Sequence, residues 1–224
     1  MLPALVLHVR PYRETSAIVQ LLTQGQGRLA GVLRGYRGKK QGQVAVQPFS
    51  VGTVTYSGRS NLVTIQKFES HHFIALQGQR LYAGFYVLEL LTRLVQERQQ
   101  EPGIFAAAMS VLEALEEQDP LEPALRCFEL DLLIQLGFEV DFSLQGQRLQ
   151  DDGRYIFQAQ TGFHRVESDA PPNQREFLGH DLLCIANRDF SAPQTLDAAK
   201  ALMRAALVPL LGTKPLISRK MFRR

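Results

Sequence analysis

Residues 17–33 read AIVQLLTQGQGRLAGVL. Two apolar, β-prone runs, Ala17–Thr23 and Arg28–Leu33, flank Gln24-Gly25-Gln26-Gly27. Glycines between such runs are a hairpin signal, because they allow the positive φ that tight turns demand. The same grammar continues on both sides. Ala4–Arg10 is short and β-rich, Val51–Tyr56 (VGTVTY) alternates, Ser57–Asn61 turns, and Leu62–Phe68 (LVTIQKF) returns. Five short strands in the first third of the chain predict a small antiparallel barrel or sandwich, and the oligonucleotide-binding (OB) barrel is a five-stranded example of that size.

After Glu69 the pattern switches to helical spacing. The expected helices are Gln79–Gln99, Gly103–Glu117 behind Pro102, Ala124–Leu136 behind Pro123, Phe177–Ala186 and Thr195–Leu211. Ser143–Val166 predicts an irregular stretch with a hairpin that turns at Gln160-Thr161-Gly162. The fold class is therefore α+β: an OB barrel over residues 1–78, then a helical domain over 79–224 with a hairpin insertion at about 143–166.

Charge divides the chain unevenly. Residues 1–80 carry ten Lys/Arg and two acids, about +8, and the remainder is about −5. A basic module points to a polyanion. Its densest part is the Gly-rich loop Gly35–Gln43 (GYRGKKQGQ), preceded by Arg34. Glycines let a backbone approach a ligand, cations replace phosphate counterions, and Tyr36 can stack on a base. The expected DNA-binding residues are Arg10, Arg13, Arg28, Arg34, Tyr36, Arg37, Lys39 and Lys40. A loop kept polar only for solubility is the competing reading. Tyr12 serves either stacking or packing. The last dozen residues add Lys214, Arg219 and Lys220 beside apolar Leu216 and Ile217, which suits a frayed tail, docking on the domain or capture of an acidic partner.

Other chemistry is weakly signalled. Cys127 and Cys184 cannot make a disulfide framework or a four-cysteine zinc site, and a reducing intracellular setting is expected. Cys127 lies in an apolar helix pattern and reads as a core thiol. Adjacent His71-His72 is a poor chelate, and Asp151-Asp152-Gly153 reads as a solvated turn. There is no HExxH, nucleophile elbow or Walker loop. No enzyme, cofactor or metal is expected. Neither a signal peptide nor an apolar run of about 18 residues is present, so a cytoplasmic protein is expected.

Six stretches together resemble the RecO family of bacterial recombinational repair mediators. They are ALVLHVRPYRETS (4–16), GRLAGVLRGYR (27–37), QPF (47–49), LYAGFYVLELLTRL (81–94), PALRCFELDLLIQLGF (123–138) and LGTKPLISR (211–219). The resemblance implies an OB domain and a helical domain. It implies binding to single- and double-stranded DNA, annealing of complementary strands, and loading of RecA with RecR onto strands coated by single-strand-binding protein (SSB), at the nucleoid. Many relatives carry a four-cysteine zinc module after the third helix; residues 137–183 have no cysteine, so a hairpin without zinc is expected there. The family also meets the acidic SSB tail through its helical domain, which implies Arg126 and Leu130 here. Arg126 could equally be a surface helix residue paired with Glu122 or Glu129. The rival readings are an OB-fold RNA-binding protein and a protein adaptor.

Overall fold

A computed structural model of the chain describes residues 1–36, 46–167 and 175–221. Five strands open it: β1 (Leu2–Tyr12), β2 (Ser16–Thr23), β3 (Gly27–Leu33), β4 (Ser50–Ser57) and β5 (Leu62–Phe73). They close into a barrel in the order β1-β2-β3-β5-β4, antiparallel except for the β3–β5 pair. Of the barrel and the sandwich that the turns allow, the chain forms the closed barrel, and its β3–β5 pair is parallel where all-antiparallel pairing is expected. Alternate residues point inward, so Ala4, Val6, Val19, Leu21, Val63 and Ile65 form one buried core.

Helices α1 (Gly78–Leu94) and α2 (Pro102–Glu116) follow, then α3 (Leu121–Gln135). Pro102 sits in the first turn of α2, where its missing N–H costs nothing. Small strands come next: β6 (Ser143–Leu144) with β7 (Gln147–Arg148), then β8 (Arg154–Gln158), β9 (Gly162–Arg165) and β10 (Glu176–Leu178) in the order β10-β8-β9. The chain finishes with α4 (Gly179–Ala186), α5 (Pro193–Leu211) and α6 (Ser218–Met221). One expected boundary is corrected: Phe177 belongs to β10, paired with Tyr155, and the helix begins at Gly179.

The packing forms two compact units. The first comprises Met1–Asp119 and the chain end from Leu216; the second comprises Pro120–Pro215. In the first unit, α1 and α2 add to the barrel. Helix α1 packs against β1, whose outward-facing Leu5 is fully buried. Phe49, from the QPF stretch, lies between them with φ of 71° and 3% exposure. Its N–H donates to Val6, its carbonyl accepts from Ile74, and its ring meets Phe85 edge-on at 5.1 Å. The segment after α1 returns to β3: Gly27 has a positive φ of 63°, and a Cβ there would stand 2.0 Å from the Gln99 carbonyl oxygen. Only glycine fits that approach.

The chain end docks as well. Glu89 of α1 accepts the backbone N–H groups of Ile217 and Ser218, both at 2.8 Å, and the Ser218 hydroxyl at 2.6 Å. A carboxylate at exposed helix N–H donors is favourable charge and favourable geometry together. Leu216 is 3% exposed beside it.

A second carboxylate ties α2 to the end of β5. Glu116 accepts from Ala75 N–H at 2.8 Å and meets His72 Nε2 at 2.7 Å. Burial works to raise this carboxyl, but the Ala75 and His72 contacts together outweigh it and hold it below the usual carboxylate range. A depressed carboxyl contributes stability above its unfolded pKa, and that contribution is lost as pH falls through the native value. Glu116→Gln should therefore lower the urea midpoint at neutral pH and flatten its fall on acidification below the ordinary carboxylate range. An acid limb as steep as that of the parent chain would contradict this.

The second unit buries Leu125, Phe128, Leu132 and Leu133 of α3 with Leu182 and Ile185 of α4 and Leu202, Met203 and Leu207 of α5. Phe163 of β9 is buried in the small sheet, its ring 5.1 Å from Phe157 of β8 and 5.8 Å from Phe142. Among the described residues no helix is long and apolar enough to cross a membrane.

Candidate nucleic-acid interface

Where the barrel is open decides where a ligand can lie. The β1 side of its wall is taken by α1. The outer positions of β5, Leu62, Thr64 and Gln66, are exposed. Beside them, the end of β3 and the middle of β5 enclose a cleft of about 620 Å³. Arg34, Tyr36, Lys67, Phe68 and His71 line it. Arg34 is exposed, while Tyr36 and Phe68 are partly buried against the barrel core. The cleft thus offers an apolar and aromatic floor with cations at the rim, which suits bases below and phosphates above.

Lys67 is partly neutralised. Its ammonium lies 2.5 Å from Glu69, whose carboxyl it holds below the ordinary range. Arg37, Lys39 and Lys40 follow Tyr36 in the chain but lie outside the described residues.

The other expected contacts are spread around the barrel. Arg10 is exposed near the end of β1. Arg13 occupies the β1–β2 turn with φ of 55° and stacks its guanidinium 5.1 Å from the Tyr12 ring centre. The pair presents a flat cation and a ring together. This turn, like the β4–β5 turn carrying exposed Arg59, is one of the two loops through which OB barrels take oligonucleotides. Arg98 donates to the carbonyls of Arg59 and Ser60, bracing that second loop.

Arg28 stands apart. Its Nε donates to the Val95 carbonyl at 3.0 Å, Nη1 lies 3.4 Å from Glu97, and the side chain is 16% exposed. Its backbone carbonyl accepts from Arg98 N–H. Arg28 fastens β3 to the segment after α1.

In the second unit Arg126 and Leu130 are 5% and 7% exposed. Arg126 Nη1 lies 3.0 Å from Glu129, and Arg126 Nε is buried without a hydrogen-bond partner. Of the two pairings anticipated, the one with Glu129 forms; Glu122 instead accepts from Lys200 at 2.9 Å. The surface setting expected for that pair is corrected: the pair is buried. In the tail Lys214 is exposed, Arg219 lies 5.9 Å from the Tyr86 ring centre, and Lys220 belongs to α6.

A larger cleft of about 920 Å³ opens in the second unit between Phe138, Phe157, Pro209 and Leu210. Its formal charges are Glu139 and Asp141, so it repels a polyanion. Of these two clefts, the one between β3 and β5 is lined by Arg34 and Lys67, whereas the larger one is lined by no Lys or Arg.

Helix α4 also brings together two side chains that share only a sequence spacing. His180 Nδ1 lies 3.0 Å from Asp151, and His180 Nε2 lies 3.7 Å from Cys184 Sγ. The His-x-x-x-Cys spacing on α4 was the available signal. Burial first, then Asp189, Asp181 and Asp151, push the Cys184 thiol up, so it is poorly suited to nucleophilic work.

Two family models match this chain, "Recombination protein O N terminal" over residues 1–73 and "Recombination protein O C terminal" over residues 75–207. The chain is 44% identical to the DNA repair protein RecO of Pseudomonas paraeruginosa over 220 residues, covering 97% of this chain and 92% of that one. It is 41% identical to the DNA repair protein RecO of Cellvibrio japonicus, with 98% and 95% covered. It is 42% identical to the DNA repair protein RecO of Stutzerimonas stutzeri, with 98% and 92% covered.

Proposed function

The chain belongs to the RecO family, and from that premise we propose that it serves DNA repair by binding single- and double-stranded DNA on the open side of its barrel and annealing complementary strands. The observation that carries this reading is the cleft between β3 and β5, with Tyr36 and Phe68 in its floor and Arg34 at its rim. Arg37, Lys39 and Lys40, which follow Tyr36 in the sequence, add cations to the same stretch of chain. Arg10, Arg13 and Arg59 extend the field to other faces of the barrel. Arg28 is left out of the surface because its guanidinium is engaged within the unit.

Annealing breaks and forms no covalent bond, so the proposed role is non-catalytic and needs no cofactor. The obstacle is repulsion between two phosphate backbones, which cations lower by replacing condensed counterions. The SSB already on those strands is proposed to be recruited through its acidic tail by the helical unit. A weak tail contact then raises the local concentration of the barrel at DNA. The acidic rim of the larger cleft disfavours the tail there. Arg126 and Leu130, being buried, support such a site from beneath by holding α3 in place. RecR is the proposed partner for passing the strand to RecA, in the cytoplasm at the nucleoid.

The test is an annealing assay with SSB-coated complementary strands, with and without RecR. Faster annealing with the protein than without it is expected. No acceleration in either condition, together with preference for RNA in competition, would replace this reading by an RNA-binding one.

A further inference from the structure

The second unit holds a constellation that the DNA reading does not use. His180 and Cys184 stand one turn apart on α4. Asp151, in the turn before β8, accepts from His180 Nδ1 at 3.0 Å. The same turn is fastened to α4 by the backbone, since His180 N–H donates to the Asp151 carbonyl at 2.8 Å and Gly179 N–H to the Gly153 carbonyl at 2.8 Å. A Cβ on Gly179 would stand 1.8 Å from the Gln150 carbonyl oxygen, so the turn and the start of α4 are in close register. The ring of His180 is therefore set from one side, with Nδ1 against a carboxylate and Nε2 facing Sγ.

The separation of these two atoms is 3.7 Å. A tetrahedral zinc ion with bonds of about 2.1 Å to nitrogen and 2.3 Å to sulfur holds such ligands roughly 3.6 Å apart. The Asp–His arrangement is the outer shell that metal-binding histidines ordinarily have. Asp189 and Asp181 lie near Cys184 as well, so the local field favours a cation. Asp181 is committed to Thr195, whose hydroxyl donates to it at 2.7 Å, and Asp189 accepts from Ser191 N–H at 3.1 Å. The site is open to solvent: the His180 side chain is 64% exposed.

We propose that His180 Nε2 and Cys184 Sγ form a two-ligand site for a borderline-soft divalent cation of the zinc class, oriented by Asp151. Binding replaces the thiol proton, which goes to solvent, with the metal–sulfur bond. Among the described residues no group of three His, Cys, Asp or Glu side chains forms a closed cage, so water or a donor from a partner fills the remaining positions. The site is separate from the four-cysteine module of relatives, for which residues 137–183 hold no cysteine. Both ligands lie on α4, so the ion spans one turn of that helix, while Asp151 holds the imidazole from the turn before β8.

Cobalt(II) is the probe. Reduced, tag-free full-length protein titrated with Co²⁺ is expected to develop a thiolate-to-cobalt charge-transfer band that saturates at one equivalent and is displaced by Zn²⁺. Cys184→Ser should abolish the band and Cys127→Ser should leave it. His180→Ala should weaken binding at least tenfold, and Asp151→Asn by about 10- to 100-fold. Zn²⁺ should also protect Cys184, and not Cys127, from alkylation in the unmodified chain, which needs no variant to fold. No band at millimolar Co²⁺, a band that survives Cys184→Ser, or equal alkylation of Cys184 with and without Zn²⁺ would each overturn the assignment.

Discussion

Arg126→Ala should destabilise the helical unit by about 3–5 kcal/mol, the usual cost of removing one partner from a buried ion pair. Both side chains are almost wholly buried. Truncation leaves the Glu129 carboxylate in the interior without its cation, and that charge cannot be rehydrated cheaply. Arg126→Glu should cost more, because it adds a second carboxylate beside the first. The double change Arg126→Met with Glu129→Leu should recover most of the loss, since apolar residues of similar volume often replace a buried pair without penalty. Hydrogen exchange of the α3 amides in the full chain reports the local stability. The same proteins titrated with an SSB tail peptide separate two roles. If Arg126 positions α3, the double variant regains tail binding along with stability. If Arg126→Ala leaves exchange within about 1 kcal/mol of the parent and still loses the peptide, Arg126 touches the tail directly and the structural account fails.

The burial of this pair was partly legible in the sequence. Arg126 shares a helical stripe with Glu129, Leu130 and Leu133, at spacings that place all four on one face. The apolar members of that stripe declare the face buried; the formal charges obscured it. The barrel was easier, because alternation and glycine turns are local signals, and they mark β2 and β3 to within a residue or so. Strand β5 continues to Phe73, beyond its expected end, because its last residues pair with β4 while remaining solvated. Glu69 to His72 consequently lack the alternation that announces a half-buried strand. Strand β10 is three residues long and has no period to read. Long-range fastenings were out of reach. Nothing near Arg28 announces that Val95 and Glu97 will receive it, and nothing near His180 announces Asp151, 29 positions away. Charge density marks the basic module as a region, but it cannot separate Arg34, which lines the cleft, from Arg28, which is a fastening.

Changing Arg34, Arg37, Lys39 and Lys40 together to Ala should reduce both affinity for single strands and its dependence on salt. Each phosphate neutralised on a single strand contributes roughly 0.7 to the slope of log affinity against log salt, so four lost contacts flatten it by about 3. Between 50 and 200 mM salt this amounts to roughly a fifty-fold smaller loss of affinity. Tyr36→Ala provides the contrast. Stacking on a base is worth about 1–3 kcal/mol and releases no counterion, so affinity should fall with the slope unchanged. Tyr36 also packs against the barrel core, so its variant requires a matched thermal melt. Arg28→Ala is the second contrast: it should loosen the attachment of β3 to the segment after α1 while leaving the salt slope intact. Fluorescence anisotropy of a labelled oligonucleotide at four salt concentrations measures all three. A fourfold variant with the parent slope would show that the phosphates are neutralised elsewhere on the chain. A slope reduced equally by Arg28→Ala would show that the fastening residue is itself a DNA contact. The expected pattern, slope lost only with these four cations and affinity alone lost with the ring, assigns phosphate contact to the stretch that runs on from Arg34 and base contact to Tyr36 in the floor of the β3–β5 cleft.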